Sequence, residues 1–543
     1  MSLRFVFFSL PGSGLFFSCR LSSIMAEVSV SISVKDSSKS NSVFSSSSWP
    51  SFARQRVIEA MIFKNDTMEM DRFTTTSDLK NLRLSISVYN VTNPDEVVLS
   101  SAKIQVQEIG PFVYYELKSK EFLENNQTTG LITYKLRRQF IFKPELSIGD
   151  PTTMNLTWIN VPVISAISII NKMNLIERIG AKMILNSAVE SVKEEPFITD
   201  KVENFIFNGS YRALFAFPLL APFVPKKALP DDKFAVLLNR NNTWLPGRDY
   251  IFTTSAGFGL NQTYRDLNQY VFMNGSRKLP FWGPEGRCND LRGTDGEFFS
   301  PFLNSSENLD VYSMDICRTL SLKYRGEAVV SGITAYKYTL DEKSLQSGAK
   351  NPENKCYCIT NSTIDCNLDG LIDLSKCITD EVVASGAHFL YGSPELRTRV
   401  AGVSPPNITN DEPMIYIEPN TGLAIQVKVP LQINVRLRKS DGYDIFSFFK
   451  DSNPLIVPLL RVTEAADLTD EQATMLRTKL LILDSWFTSM VLGGSIVLIL
   501  VIIIVIFVLC LWYRNSRRQV QEPRPPSETD RLLPQVGPDQ EEG

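Results

Sequence analysis

Residues 423–437 read LAIQVKVPLQINVRL, and every odd position is aliphatic: Leu423, Ile425, Val427, Val429, Leu431, Ile433, Val435 and Leu437. The even positions include Gln426, Lys428, Gln432, Asn434 and Arg436, with Arg438 continuing the series. A period of two is the signature of a β-strand, and it sets one face in a core and the other in a polar setting. The four residues before it, Pro419–Gly422 (PNTG), read as a turn with glycine at a left-handed position. That turn folds the strand back onto MIYIE at 414–418.

Similar strand patterns run upstream. LRLSISVYNV, KIQVQEIG, FVYYEL and ITYKLRRQFIF, all between 82 and 142, are rich in β-branched and aromatic residues. One region departs from period two. Over Ile164–Val189 apolar residues fall at Ile164, Ile167, Ile170, Met173, Ile176, Ile179 and Met183, which is helical spacing. EPFITDKVENFIF, just beyond it, reads as a continuation into a small helical subdomain. The helical region is either ordinary packing or a surface for a partner.

Downstream, Met490–Trp512 is 23 residues without a charge. At about 1.5 Å per residue it spans a hydrocarbon core of roughly 30 Å. Arg514, Arg517, Arg518 and Arg524 follow it against the single Glu522, whereas Asp470, Glu471 and Asp484 outnumber Arg477 and Lys479 before it. Positive residues stay in the cytosol, so 513–543 is expected to be a cytosolic tail. A Thr469-Asp470-Glu471-Gln472 capping box starts a helix towards the span. Residues 1–53 read as an atypical N-terminus: a weak signal or anchor behind Arg4, interrupted by Pro11, Gly12 and Gly14, then a Ser-rich disordered stretch. The expected plan is therefore 1–53, a glycosylated luminal or extracellular ectodomain over 54–489, the span at 490–512 and the tail at 513–543. Within the ectodomain the helical cap falls at about 160–215 and the cysteine-rich region at 288–377.

Eleven Asn-x-Ser/Thr sequons precede the span: Asn65, Asn90, Asn126, Asn155, Asn208, Asn241, Asn261, Asn274, Asn304, Asn361 and Asn407. None follows it, which supports a luminal, glycosylated ectodomain. Six of the eight cysteines cluster at Cys288, Cys317, Cys356, Cys358, Cys366 and Cys377. An even set in an oxidising compartment reads as three disulfides.

The net charge is −3 and no basic stretch marks the ectodomain, so nucleic acid is not expected. The chain has one histidine, His388. Acid–base chemistry and zinc sites draw on histidine, so metal, cofactor and hydrolase readings lose weight. No G-x-S-x-G, H-E-x-x-H or Walker loop is present. No enzyme activity, cofactor or metal is expected, and His388 is read as a satisfied, partly buried side chain.

Six stretches, in order, resemble the class B scavenger receptor family, which includes the fatty-acid translocase and the lysosomal integral membrane protein that carries a hydrolase. They are YNVTNPDEV at 89–97, VQEIGPFVY at 106–114, CNDLRGTDGEFFSPF at 288–302, DICR at 315–318, AHFLYGSP at 387–394 and IEPNTGLAIQ at 417–426. The resemblance implies a mainly β protein: an antiparallel β-barrel-like ectodomain, a helical cap and a membrane-spanning helix. It also implies an apolar tunnel, ligand binding at the cap, and the pairs Cys288–Cys356, Cys317–Cys377 and Cys358–Cys366. The family has a second, N-terminal span, for which no continuous apolar run stands before Arg54. Lys172, Arg178 and Lys182 on the cap are the candidate residues for attracting anionic lipids or lipoprotein particles.

In the tail, Glu528 followed by Leu532 and Leu533 fits the acidic dileucine pattern that a clathrin adaptor reads. The sequence thus favours a receptor that binds lipids, lipoproteins or other polyanionic ligands and passes lipid through an internal tunnel. It would occupy late endosomes or lysosomes and the plasma membrane. The alternative is a sorting receptor that carries a luminal protein, such as a hydrolase, to lysosomes.

Overall fold

A computed structural model describes residues 51–65, 70, 73, 82–211, 233–238, 241, 250–284, 286–358, 366–377 and 381–520. Ser45–Leu480 forms one compact unit, and the chain from Leu481 belongs to a second.

Among the described residues, thirteen strands form one antiparallel sheet. Its order is Leu309–Ser313, Arg318–Val330, Ile333–Leu340, Met414–Glu418, Leu423–Leu437, Leu455–Asp467, Arg83–Val91, Val106–Asn126, Leu131–Phe142, Ile251–Ser255 and Tyr270–Met273. Val382–Gly386 adds a branch on Leu423–Leu437 and carries Leu371–Asp373. The two ends of the order meet through Gly293 and Thr294. The Tyr270 amide donates to the Gly293 carbonyl at 2.9 Å, the Thr294 amide to Asp310 at 3.1 Å and the Tyr312 amide to Thr294 at 3.0 Å. A sheet joined to itself leaves few unpaired edge groups, and the architecture is barrel-like.

The hairpin at 414–437 forms as its sequence dictates. Gly422 sits at φ 74°, and a Cβ there would collide with the Phe299 carbonyl. Buried Glu418 ties the turn, accepting from the Asn420 amide at 3.1 Å, the Thr421 amide at 2.7 Å and both their side chains. Over its second half the polar face of Leu423–Leu437 has its polar setting inside the protein. Gln432, Asn434 and Arg436 are buried, not set in a solvated surface. They lie beside the Val382–Gly386 branch, joined in a hydrogen-bonded network. Tyr89 donates to Gln432 at 3.0 Å, Gln432 to Asn434 at 2.7 Å, Asn434 to Ser385 at 3.1 Å and Arg436 to Glu381 at 3.2 Å. Buried polar groups persist when paired in this way.

The helical region 164–189 is two helices. Val161–Asn171 starts at Asn160, whose side chain accepts from the Val163 amide; Leu175–Val192 starts at Asn174, which accepts from the Glu177 amide. An N-cap asparagine breaks the run between them. The stretch after them is not helical throughout, because Phe197–Lys201 is a strand paired with Asn155–Ile159 and only Asn204–Asn208 turns again. KIQVQEIG and FVYYEL likewise share the single strand Val106–Asn126, through a cis Gly110–Pro111 bond.

At the C-terminal end the capping box forms. The Thr469 hydroxyl accepts from the Gln472 amide at 3.2 Å, and the Gln472 side chain accepts from the Thr469 amide at 3.0 Å. The helix runs over Asp470–Val520, and its part Ser489–Ser516 is long and apolar enough to cross a membrane.

Candidate functional site

A cavity of about 300 Å³ lies within the Ser45–Leu480 unit. One wall is the strand quoted first: Leu423, Ala424, Ile425, Gln426, Val427, Val429 and Leu431 all line it, across a β-bulge near Ile425. Leu423, Val427, Val429 and Leu431 are only half-buried although they lie in the interior of the sheet, because they face this space. Leu82, Leu136, Leu340 and Leu476 extend the apolar lining. Such a wall gains about 25 cal/mol per Å² of apolar ligand surface that it takes from water.

A second wall is charged. Period two places Glu116, Lys118 and Lys120 on one face of Val106–Asn126. The register sets Lys118 opposite Arg138 and Lys120 opposite Leu136 on the next strand. Two cations directly opposite repel, so carboxylates surround them. Lys118 reaches Glu464 at 2.5 Å, and Arg138 reaches Glu116 at 2.5 Å and Asp315 at 3.0 Å. Lys120 reaches Asp295 at 2.8 Å and Glu297 at 3.0 Å, and stands 3.8 Å over the Phe73 ring. Burial disfavours the charge on Lys118, but Glu464 and Glu116 outweigh it and hold the proton more firmly than usual. The same holds for Lys120 beside Asp295 and Glu297. Glu297 is pushed up by burial and by Asp295, against the pull of Lys120.

This belt was not foreseen from the sequence, although a signal for it exists. YYELKSKEF and YKLRRQF put charged residues on the same face as Phe112, Tyr114 and Tyr134, where a dry core would carry apolar side chains.

Elsewhere, the cap residues are spread over two helices. Lys172 caps the first helix, and Arg178 and Lys182 sit one turn apart on the second. The Lys182 ammonium donates to the Asp441 carbonyl and lies 5.1 Å from the Tyr443 ring. Along the second helix Ala181, Leu185 and Ala188 are buried, whereas Leu175, Ile176, Ile179 and Met183 are exposed, Ile176 to 84%. The six clustered cysteines are joined as Cys288–Cys356, Cys317–Cys377 and Cys358–Cys366. Of the sequons, Asn65, Asn155, Asn208, Asn241, Asn261, Asn274, Asn304 and Asn407 are exposed, and Asn90 and Asn126 are partly so. Asn361 and the tail residues Glu528, Leu532 and Leu533 lie outside the described residues. His388 has no open metal or catalytic setting. Its Nδ1 meets Asp411 at 2.8 Å and its Nε2 meets Glu108 at 2.8 Å.

Comparison with known proteins adds an independent line. The model of the CD36 family matches residues 40–511. The chain is similar to sensory neuron membrane protein 1 of Bombyx mori, 31% identical over 74% of this chain and 76% of that protein. It is 30% identical to that of Helicoverpa armigera over the same shares. The Apis mellifera protein is 29% identical over 79% of this chain and 81% of its own length.

Proposed function

The chain belongs to the CD36 family, membrane receptors and not enzymes, and from that premise we propose that it captures lipid or lipoprotein ligands and passes lipid through its internal cavity. The carrying observation is the strand Leu423–Leu431 along the cavity: Leu423, Val427, Val429 and Leu431 are aliphatic, line the space and are only half-buried, with buried Ile425 beside them. Capture belongs to the cap, where exposed Ile176, Ile179 and Met183 stand near cationic Lys172 and Arg178. Apolar contact holds a lipid surface, and the cations steer anionic particles with a strength that falls as salt rises.

Purified full-length protein in nanodiscs should yield lipid on extraction beyond that of empty discs, and should take up labelled sterol. Val427→Trp, which fills the space, should reduce both. Protein that carries and takes up no lipid would overturn the cavity reading. Lys172→Glu should slow capture of anionic particles and leave the internal lipid in place. Lys182 is a poorer probe of steering, because its reversal also breaks the contact with Asp441.

The exposed apolar stripe on the second cap helix also fits a second reading, a receptor that carries a luminal protein. Co-purification of a luminal hydrolase through that stripe would favour it. The sequons are proposed to bear glycans, and the tail to reach the cytosol with its dileucine available to an adaptor.

A further inference from the structure

The charged wall says which polar end an internal ligand can bring. Among the described lining residues three are cations, Lys118, Lys120 and Arg138, and five are carboxylates, Asp295, Glu297, Asp315, Glu464 and Asp467. Glu116 stands behind the wall on Arg138, and Arg83 holds Asp467 at 2.7 Å from outside. Each of the three cations is already within 3.0 Å of at least one carboxylate. Carboxylates outnumber cations even with Arg83 and Glu116 included.

An anionic head entering here finds no uncommitted cation, and it adds a like charge to a site of low dielectric. That combination disfavours the charged form. A donor fares differently: carboxylate oxygens accept only, and they are in excess. Resting on the reading of the cavity as a lipid site, we propose that this cavity selects amphiphiles with a non-anionic, hydrogen-bond-donating head, of which a long-chain alcohol or a sterol is the simplest, and discriminates against free fatty acids. The head lies against the belt of Lys118, Arg138, Asp315 and Glu464, and the apolar body lies along Leu423–Leu431. Asp315 lines the cavity with the most exposed side chain of these four, 37%, and it shares Arg138 with buried Glu116.

The test compares tritiated decan-1-ol, decanoic acid and cholesterol by equilibrium dialysis against the full chain in nanodiscs, with empty discs subtracted. A carboxylic acid that binds only when protonated pays for the rarity of that form. With an ordinary pKa near 4.3 it is neutral in about one molecule in 10³ at pH 7.5. The alcohol should therefore bind on the order of 10³-fold tighter than the acid at pH 7.5. Lowering the pH to 6 should tighten the acid on the order of tenfold or more and leave the alcohol in place, and the ratio of cholesterol to decanol identifies the preferred apolar body. Asp315→Asn leaves Arg138 its Glu116 partner and removes one lining carboxylate, so it should narrow the gap between alcohol and acid several-fold. The wild-type pH comparison stands alone if that variant does not fold. Decanoic acid binding as tightly as decanol at pH 7.5, or a gap indifferent to pH, would overturn the selection and leave the cavity as a lipid site. Binding of none of the three would overturn both.

Discussion

His388 shows what one residue contributes when its surroundings are charged. It is the chain's only histidine and is clamped between Glu108 and Asp411, while Arg461 donates to the other Glu108 oxygen at 2.7 Å. Burial works against the imidazolium, but the hydrogen bonds it donates to both carboxylates outweigh it and raise its pKa above the usual 6.5. Burial raises Glu108 too, yet His388 and Arg461 bring it down to about 2. The signs set a window. The raised histidine stabilises fully below about 6.5 and is lost as pH rises through its folded value. The depressed glutamate stabilises above about 4.5 and is lost as pH falls towards 2. The cluster is thus at full strength between about pH 4.5 and 6.5, and the Glu108 shift alone corresponds to about 3 kcal/mol. His388→Gln should lower the Tm of the full chain more at pH 5.5 than at pH 8.5, as read by thermal unfolding. An equal loss at both would mean that the ring contributes packing and not charge. Sequence reading reached a satisfied, partly buried histidine. The partners stand 280 and 23 positions away, a pairing that only the fold creates.

Strands were legible where their pattern is local, and their surroundings were not. The aliphatic period of Leu423–Leu437 is written in fifteen consecutive residues, so its strand and hairpin could be read directly. Whether the aliphatic face fills a core or borders a space depends on strands hundreds of residues away. The charged belt illustrates the same limit, because Lys120 meets Asp295 and Glu297 across separations of 175 and 177. The cysteine-rich segment offers a test at this scale. Cys317–Cys377 closes a separation of 60 residues and Cys358–Cys366 one of 8. In the chain-entropy account the longer loop restricts the unfolded state by roughly 2 kcal/mol more. Cys317 and Cys377 are also buried, so their loss disturbs packing. Paired serine substitution at 317 and 377 should lower stability more than the same change at 358 and 366, measured by thermal unfolding of the non-reduced protein. The reverse order would argue against the entropic account for this segment.

For the whole molecule, a lipid-sized cavity, a helix able to cross a membrane and a polar tail stand in one order along the chain, an order that suits the proposed transport. A receptor that takes lipid from particles meets them at the cell surface, and a receptor that hands lipid to a luminal compartment must be internalised. The tail holds a residue pattern suited to that step. Glu528 supplies one charge, Leu532 and Leu533 two adjacent apolar side chains, and Arg524, Pro525 and Pro526 favour an extended approach away from the bilayer. Changing Leu532 and Leu533 to Ala removes the apolar half and leaves every residue of the cavity and cap in place. The double variant should accumulate at the plasma membrane, bind labelled ligand there at least as well as the wild type per molecule, and deliver less of it to late endosomes and lysosomes, as followed by surface biotinylation and organelle fractionation. Unchanged distribution would remove the dileucine as the dominant address. A shifted distribution with undiminished delivery would instead place lipid transfer at the cell surface, with the cavity discharging into the membrane that holds the anchor.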